Sequence, residues 1–145
     1  MKPKIIITLI LSSLIFLNVS CDKKEEKPTN INFTNIGKGS LNGSEGVSQS
    51  NLVISNTPDW QNLMNKMGSE IDEFTETNID FNAYQVIAII LEVKMNGWDV
   101  EITSIVENAD KITVSKKETE YLTAVVTQPY HIVKIPKTSK PIVFE

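Results

Sequence analysis

The side chains best suited to chemistry are scarce in this chain, which contains one histidine, His131, and one cysteine, Cys21. A Ser-His-Asp or Cys-His arrangement would have to recruit His131, because a hydroxyl or thiol nucleophile needs an adjacent base. His131 lies in an apolar, strand-like context, where a packed or hydrogen-bonded structural role is the commoner outcome. A zinc site lacks ligands, and no Gly-rich phosphate loop precedes a helix. We therefore predict a protein that is not an enzyme and that binds no cofactor.

Carboxylates are the other groups that could act chemically. The segment from Ser69 to Asn82 is acidic and contains Glu70, Asp72, Glu73, Glu76 and Asp80. An EF-hand calcium loop needs a fixed twelve-residue ligand spacing with a central glycine, and this segment has neither. A glycosidase-like pair depends on proximity in space, on which the sequence is silent, so a small hydrolase remains the last alternative. We predict a solvated acidic connection and no metal site.

Cys21 follows a segment typical of a signal peptide, which we assign to residues 1–20. The segment starts with Met1-Lys2-Pro3-Lys4 and continues with an almost wholly apolar run from Ile5 to Val19. A lone cysteine directly after such a run resembles the lipobox of bacterial lipoproteins, although Asn18 stands where Leu or Val is usual. We predict that the chain is cleaved before Cys21 and that this cysteine is then acylated, so that it can be labelled with palmitate. The alternative is a secreted protein with a free thiol, which is a liability outside the cell.

The residues after Cys21 bear on localisation. The segment from Asp22 to Pro28 is charged throughout and has no apolar residue to bury, so it should be solvated. Within it, Lys24-Glu25-Glu26 resembles the lysine-plus-two-acids signal that sends some lipoproteins to the outer face of the outer membrane. We predict an outer-membrane anchor that faces the cell surface. The alternative is an ordinary charged tether.

The balance of charge excludes one class of partner. The chain has 14 basic residues, all of them lysine, against 18 acidic residues. Removal of Lys2 and Lys4 with the signal peptide makes the net charge of −4 more negative by two. Proteins that read nucleic acid rely on arginine forks and a basic face. We predict no nucleic-acid partner.

Residues 21–50 are predicted to form a flexible tether with a coil span of roughly 30 Å. Four glycines lie there among Ser and Asn: Gly37, Gly39, Gly43 and Gly46. The alternative is that part of this segment adds a strand to the domain. A short alternating apolar patch indicates it: Ile31, Phe33 and Ile36. The folded domain is then 51–145, a length that one core can serve.

The domain is predicted to begin with a strand at Leu52 to Ile54 and a helix. Thr57 can cap the free amides of that helix, and Pro58 fits its first position. Apolar residues recur with helical spacing at Trp60, Leu63, Met64 and Met67. Gly68 follows as a terminator. This stripe predicts a helix packed on a sheet.

Several strands should follow. The run from Tyr84 to Val93 is apolar on both faces, which indicates a central strand covered on both sides. Asn96-Gly97 predicts a type I′ hairpin turn that returns the chain over Trp98 to Glu107. Asn108-Ala109-Asp110 then turns the chain into a strand over Lys111 to Ser115.

The last third of the chain is predicted to contain an exposed connection at Lys116-Lys117-Glu118 and then two strands. These strands are Leu122 to Thr127, rich in β-branched residues, and His131 to Ile135, which alternates so that Val133 and Ile135 share a face with His131. Pro129 between them cannot donate a ladder hydrogen bond, so we expect it at a bulge, a bend or a sheet edge.

Ile142 to Phe144 closes the chain as a predicted edge strand. The whole pattern indicates an α+β fold, an antiparallel β-meander sheet of about six strands with one packed helix.

Four features between Leu52 and Phe144 occur together. They are Asn78-Ile79-Asp80-Phe81, the buried strand Val86 to Leu91, the Gly97-Trp98 pair, and the run Val126-Thr127-Gln128-Pro129-Tyr130-His131-Ile132-Val133-Lys134-Ile135-Pro136. In these features the chain resembles the C-terminal domain of the protease complex subunit PrcB family. That family often has paired glycines before the aromatic residue, whereas this chain has Asn96-Gly97. The resemblance implies an extracytoplasmic accessory role and supplies no catalytic residues.

We predict a non-enzymatic, membrane-anchored lipoprotein whose domain contacts another extracytoplasmic protein, such as a protease. Aromatic residues at turns anchor partners, so the predicted contact residues are Gln128, Pro129, Tyr130, His131 and Trp98. The alternative is that Tyr130 and Trp98 cap the hydrophobic core and contact no partner.

Strand addition at the edge Ile142 to Phe144 is a second mode of contact. The alternative function is a small-ligand or glycan binding module, with a pocket between the sheet face and the acidic connection from Ser69 to Asn82.

Overall fold

The computed structural model describes residues 27–145, so the predictions for residues 1–20 and for Cys21 lie outside the described residues. It contains eight strands and one α-helix, with a 3-10 helix at Gly68–Glu73. In chain order the elements are β1 (Thr29–Asn30), β2 (Thr34–Leu41), β3 (Ser50–Ile54), α1 (Thr57–Met67), β4 (Tyr84–Ile90), β5 (Gly97–Glu107), β6 (Ile112–Tyr121), β7 (Gln128–Pro136) and β8 (Ile142–Phe144).

The strands form two four-stranded sheets. Sheet I has the order β1-β5-β6-β8, and sheet II has the order β2-β7-β4-β3. Neighbouring strands are antiparallel except β6 and β8, which are parallel. The predicted α+β class with one helix is confirmed. The predicted single meander of about six strands is wrong, since the chain crosses between two sheets.

Two hydrophobic cores share the central strands of sheet II. One lies between sheet II and α1, and includes Trp60 and Ile132. The other lies between the two sheets, and includes Ile87, Ile105 and Val133. β4 and β7 contribute side chains to both cores, because successive residues of a strand point to opposite faces. The prediction of a central, doubly covered strand is confirmed for Tyr84–Ile90, whereas residues 91–93 of the predicted run lie outside the strand.

The helix forms where its apolar spacing predicts it. Trp60, Leu63 and Met67 are buried against sheet II. The cap is Asn56 rather than the predicted Thr57, since the Asn56 Oδ1 accepts a hydrogen bond of 2.9 Å from the Asp59 N–H. Gly68 ends the helix with φ of 61°, as a C-terminal glycine commonly does.

Much of the segment predicted as a flexible tether is part of the fold. β2 pairs along β7 from Thr34 to Leu41, and Ile36 is 0% exposed in the core under α1. A Cβ atom on Gly37 would lie 2.5 Å from the Phe74 ring, so this glycine allows close packing. The tether prediction is therefore wrong for residues 29–41, and the alternating patch that includes Ile36 marks a strand.

The predicted hairpin at Asn96-Gly97 is also wrong. Among the described residues only Gly43, Gly46 and Gly68 have positive φ, so no type I′ turn forms at this dipeptide. β4 has β3 on one side and β7 on the other, so both of its edges are occupied. β5 consequently pairs in sheet I, and the residues between β4 and β5 connect the two sheets.

Two predictions about the following region need correction. Lys116-Lys117-Glu118 lies within β6 and pairs with β5, so it is not a connection. Residues 122–126 form no strand, although their composition predicts one. The chain has to leave sheet I at Tyr121 and enter sheet II at Gln128, and this segment makes that crossing. The turn at Asn108-Ala109-Asp110 is confirmed, with an Asn108 N–H to Lys111 carbonyl bond of 2.8 Å.

Burial of Ile36 leads to a direct test of the N-terminal strand. Ile36→Ala should lower the free energy of unfolding by about 2–5 kcal/mol, because it leaves a cavity in the core between sheet II and α1, to which β2 contributes Ile36. Leu122→Ala is the matched control, since Leu122 is 101% exposed and its truncation should change stability by about 0.5 kcal/mol or less. Urea denaturation measures both, and equal stabilities for the two variants would contradict the assignment of β2 to the core.

Candidate functional site

His131 lies at the junction of the two sheets, with both ring nitrogens engaged. Its Nδ1 accepts a hydrogen bond of 2.7 Å from the backbone N–H of Ile102 in β5. Its Nε2 lies 3.1 Å from the Oδ1 of Asn35 in β2. The donor to Nδ1 is a backbone amide, so we assign the neutral tautomer in which Nε2 carries the hydrogen and donates to Asn35. His131 thus joins β7 to both β2 and β5.

The surroundings of His131 disfavour its protonation. Burial lowers the pKa of His131 below its ordinary value, and the nearby ammonium of Lys38 lowers it further. Glu101 and Asp99 act in the opposite direction. The Lys38 ammonium lies 2.9 Å from an Asp99 oxygen, which places a second polar link between the sheets close to the imidazole.

The other residues predicted as a partner contact in β7 are buried. Gln128 and Tyr130 are each 1% exposed, Pro129 is buried, and His131 is 5% exposed. Burial raises the pKa of Tyr130 to about 12, with Glu70 and Glu73 contributing. A partner can touch only accessible side chains, so the contact predicted at these four residues is wrong for the folded domain.

Pro129 lies at none of the three positions predicted for it, a bulge, a bend or a sheet edge, and it pairs with Ser40 without a shift in register. It is the second residue of β7, which lies between β2 and β4. Its carbonyl accepts a hydrogen bond of 2.9 Å from the Leu91 N–H, and near the start of a strand its missing donor is tolerated. The side chain of Gln128 supports this end of β7 by donating to the carbonyls of Val47 and Leu91.

Trp98 is the predicted contact residue that remains accessible. It is half-buried at the start of β5, where the Lys94 Nζ lies 4.7 Å from the centre of its ring. An ammonium over an indole face is attractive, which holds Lys94 against Trp98.

The largest apolar exposure in the described part of the chain lies beside Trp98. Met95 is 77% exposed and Leu122 is 101% exposed. Six exposed apolar side chains lie on two neighbouring segments, residues 91–96 and 121–127, and we call this set the apolar tip: Val93, Met95, Tyr121, Leu122, Val125 and Val126.

The two segments of the apolar tip are fixed to each other. Lys94 and Thr127 exchange backbone hydrogen bonds of 2.7 and 2.9 Å. The Thr127 hydroxyl donates to the Asn96 carbonyl at 2.8 Å and accepts from the Trp98 N–H at 3.1 Å. A Cβ atom on Gly97 would lie 2.1 Å from the Thr123 Oγ1, so glycine here permits close approach of the second segment. The backbones of the two segments are therefore fixed to each other at Thr123 and Thr127 before any partner binds.

The apolar tip and the start of the described chain lie at opposite ends of sheet I. The β5–β6 ladder runs from the pair Gly97–Tyr121 at the tip to the pair Glu107–Ile112. β1 pairs with the far end, where Thr29 faces Glu107. Eleven residues in β5 span about 30 Å at the usual strand rise.

The edge strand predicted at Ile142 to Phe144 is confirmed as β8, the outer strand of sheet I. Within residues 27–145 no group of three or more His, Cys, Asp or Glu side chains could hold a metal ion. No helix in the described part of the chain is long and apolar enough to cross a membrane.

Sequence reasoning missed the apolar tip because it assigns most of its residues to regular strands. The composition of Leu122 to Thr127 suits a strand, yet a strand in a two-sheet domain buries at least one face. The useful signal was the adjacent Met95, an apolar residue in a polar turn that no predicted strand needed.

His131 leads to a pH dependence of stability. Its pKa is lower in the folded than in the unfolded chain, so between about pH 6.5 and the folded pKa only the unfolded chain binds the proton. The free energy of unfolding should fall as the pH decreases below about 6.5, by at most about 1.4 kcal/mol per pH unit from this one group.

His131→Asn should be less stable at neutral pH and should lose this part of the slope, as measured by urea denaturation between pH 7.5 and 5.5. The same slope in both proteins would contradict the assigned hydrogen bonds.

No protein-family model, no curated protein and no solved structure matches this chain.

Proposed function

We propose that this chain is a non-enzymatic lipoprotein of the outer membrane, anchored through Cys21, with a PrcB-like accessory domain. In this proposal the domain uses the apolar tip to contact another extracytoplasmic protein, such as a protease. The observation that carries the proposal is the exposure of six apolar side chains on two segments that are fixed to each other.

The energetics of the apolar tip favour a contact surface. Full burial of a Val, Leu or Met side chain contributes roughly 1.5–3 kcal/mol, and a domain gains nothing from leaving several of them together in water. The hydrogen bonds around Thr127 order the backbone in advance, so a partner pays little conformational entropy to use it. Trp98 beside the tip adds an aromatic residue of the type enriched at binding hot spots.

The position of the tip suits an anchored protein. Cys21 precedes Lys27 by six residues, and that length of chain reaches about 20 Å when fully extended. An anchor at Cys21 therefore leads to the β1 end of sheet I, about 30 Å from the apolar tip. In the proposed arrangement the tip points away from the anchoring bilayer and is available to a protein rather than to that bilayer.

The proposal of a non-enzymatic role is supported by His131. The one histidine of the chain uses both ring nitrogens in hydrogen bonds to Ile102 and Asn35, which leaves neither free to act as a base. The accessory role agrees with the resemblance to the PrcB family.

A photo-cross-linking amino acid at Leu122, in otherwise unchanged cells, tests the contact. We expect a covalent adduct with a specific protein, and we expect Met95→Asp in the same chain to reduce its yield by about tenfold, because a charge would be buried in an apolar contact. The matched control carries the cross-linker at Asp110, an exposed residue at the opposite end of the β5–β6 ladder. Recovery of the same adduct from both positions, or of free monomer alone, would overturn the proposed contact.

Labelling of the same cells with radioactive palmitate tests the anchor separately. The label should enter the wild-type chain and be absent from Cys21→Ser, which should also leave the membrane fraction. An unlabelled wild-type chain would reject the anchor without affecting the result at Leu122.

A further inference from the structure

The strand edges of the two sheets are protected unequally. β1 has two residues, and β8 has three and directly follows Pro141. The edge strand β2 is interrupted by a bulge between Asn35 and Gly37 and carries Lys38. Short length, proline, bulges and lysine are the usual means by which proteins prevent a further strand from pairing with an edge.

β3 has none of these protections. Its sequence, Ser50-Asn51-Leu52-Val53-Ile54, contains no charge and no proline, and its pairing with β4 shows no bulge. It is the outer strand of sheet II, so its outer edge presents backbone donors and acceptors to solvent. Val53 is 44% exposed.

A groove runs along this edge. Only two residues separate the end of β3 from the start of α1, and the two elements line one cavity of about 300 Å³. Leu52 and Leu63 supply apolar surface to it, while one face of the helix contributes Asp59, Asn62 and Lys66. The volume is at the lower end of the range for ligand sites and accommodates side chains rather than a large cofactor.

We propose that the β3–α1 groove binds an extended peptide segment that adds a fifth strand to sheet II. The exposed backbone groups of β3 would pair with the peptide backbone, and an aliphatic side chain of the peptide would pack on Leu52 and Leu63. Asp59 in the first turn and Lys66 in the last turn give the groove opposite charges along its length. The complementary peptide carries an acidic group near Lys66 and a basic group near Asp59.

This site is separate from the apolar tip and goes beyond the proposed function. The groove belongs to β3 and α1, whereas the tip belongs to the connections on either side of the β5–β6 hairpin. Loss of either site by mutation should leave the other intact.

A matched pair of helix variants tests the groove. Asn62→Trp places an indole in the groove, whereas Asn65→Trp puts the same change on an exposed position of α1 that does not line it. The probe is a phage-displayed library of random peptides of about nine residues, selected on the full chain in detergent, which is long enough to span β3.

We expect the selected peptides to bind the wild type and Asn65→Trp equally and to bind Asn62→Trp about tenfold more weakly or worse. Hydrogen exchange of the β3 amides should slow in the complex. The proposal is overturned if no peptide is enriched, or if the enriched peptides bind Asn62→Trp as well as they bind the wild type. A dimer of the chain that Asn62→Trp dissociates would assign this edge to a second copy and would equally reject the peptide.

Discussion

The central constraint in this domain is a strand that has no exposed face. β7 packs on α1 and its core with one face and on sheet I with the other, while β2 and β4 occupy its two edges. A polar side chain in such a strand needs partners, because an unpaired buried group costs about 1–3 kcal/mol. His131 finds them in Ile102 and Asn35, one on each neighbouring element that it must join. The register of β5 shifts between Ile102 and Ser104, at the place where the imidazole accepts the Ile102 N–H.

The burial of β7 also determines where the apolar tip and the β1 end of sheet I lie. Because β2 pairs with β7 and the Asn35 side chain accepts a hydrogen bond from His131, this part of the chain belongs to the domain and does not act as a long tether. Because β7 begins inside sheet II, the chain has to cross from sheet I over residues 122–127, where it forms the apolar tip. The tip and the β1 end are therefore at opposite ends of sheet I as a consequence of topology.

The sequence was most informative where one local pattern determines the element. The spacing of Trp60, Leu63 and Met67 predicts the helix. The unbroken apolar run from Val86 to Ile90 in β4 predicts a doubly buried strand. The alternation from His131 to Ile135 correctly separates the two faces of β7. In each case the prediction requires only that certain side chains are buried on one face of the element, and the apolar residue types indicate that burial directly.

The errors arise where long-range pairing decides the outcome. Asn96-Gly97 has the composition of a tight hairpin, yet β4 already has neighbours on both edges, a fact that local sequence does not contain. Gly37 resembles a linker glycine until its contact with Phe74, distant in sequence, is known. Pro129 between Gln128 and Tyr130 suggests a surface bend, although both of these neighbours are buried. Tyr130 faces Gly39 in β2, and the Gln128 N–H donates to the Ser40 Oγ, so both residues are in contact with a segment whose composition predicts a tether.

The protonation state of His131 tests the role of this residue most directly. Long-range nitrogen–proton NMR spectra of the imidazole distinguish the two neutral tautomers from the imidazolium cation. We expect the neutral form with the hydrogen on Nε2 and an acceptor at Nδ1, persisting as the pH is lowered through about 6.5, the ordinary value for a free imidazole. An imidazolium form that predominates at that pH, or a hydrogen on Nδ1 of the neutral ring, would contradict the inter-sheet hydrogen bond on which this description of the fold depends.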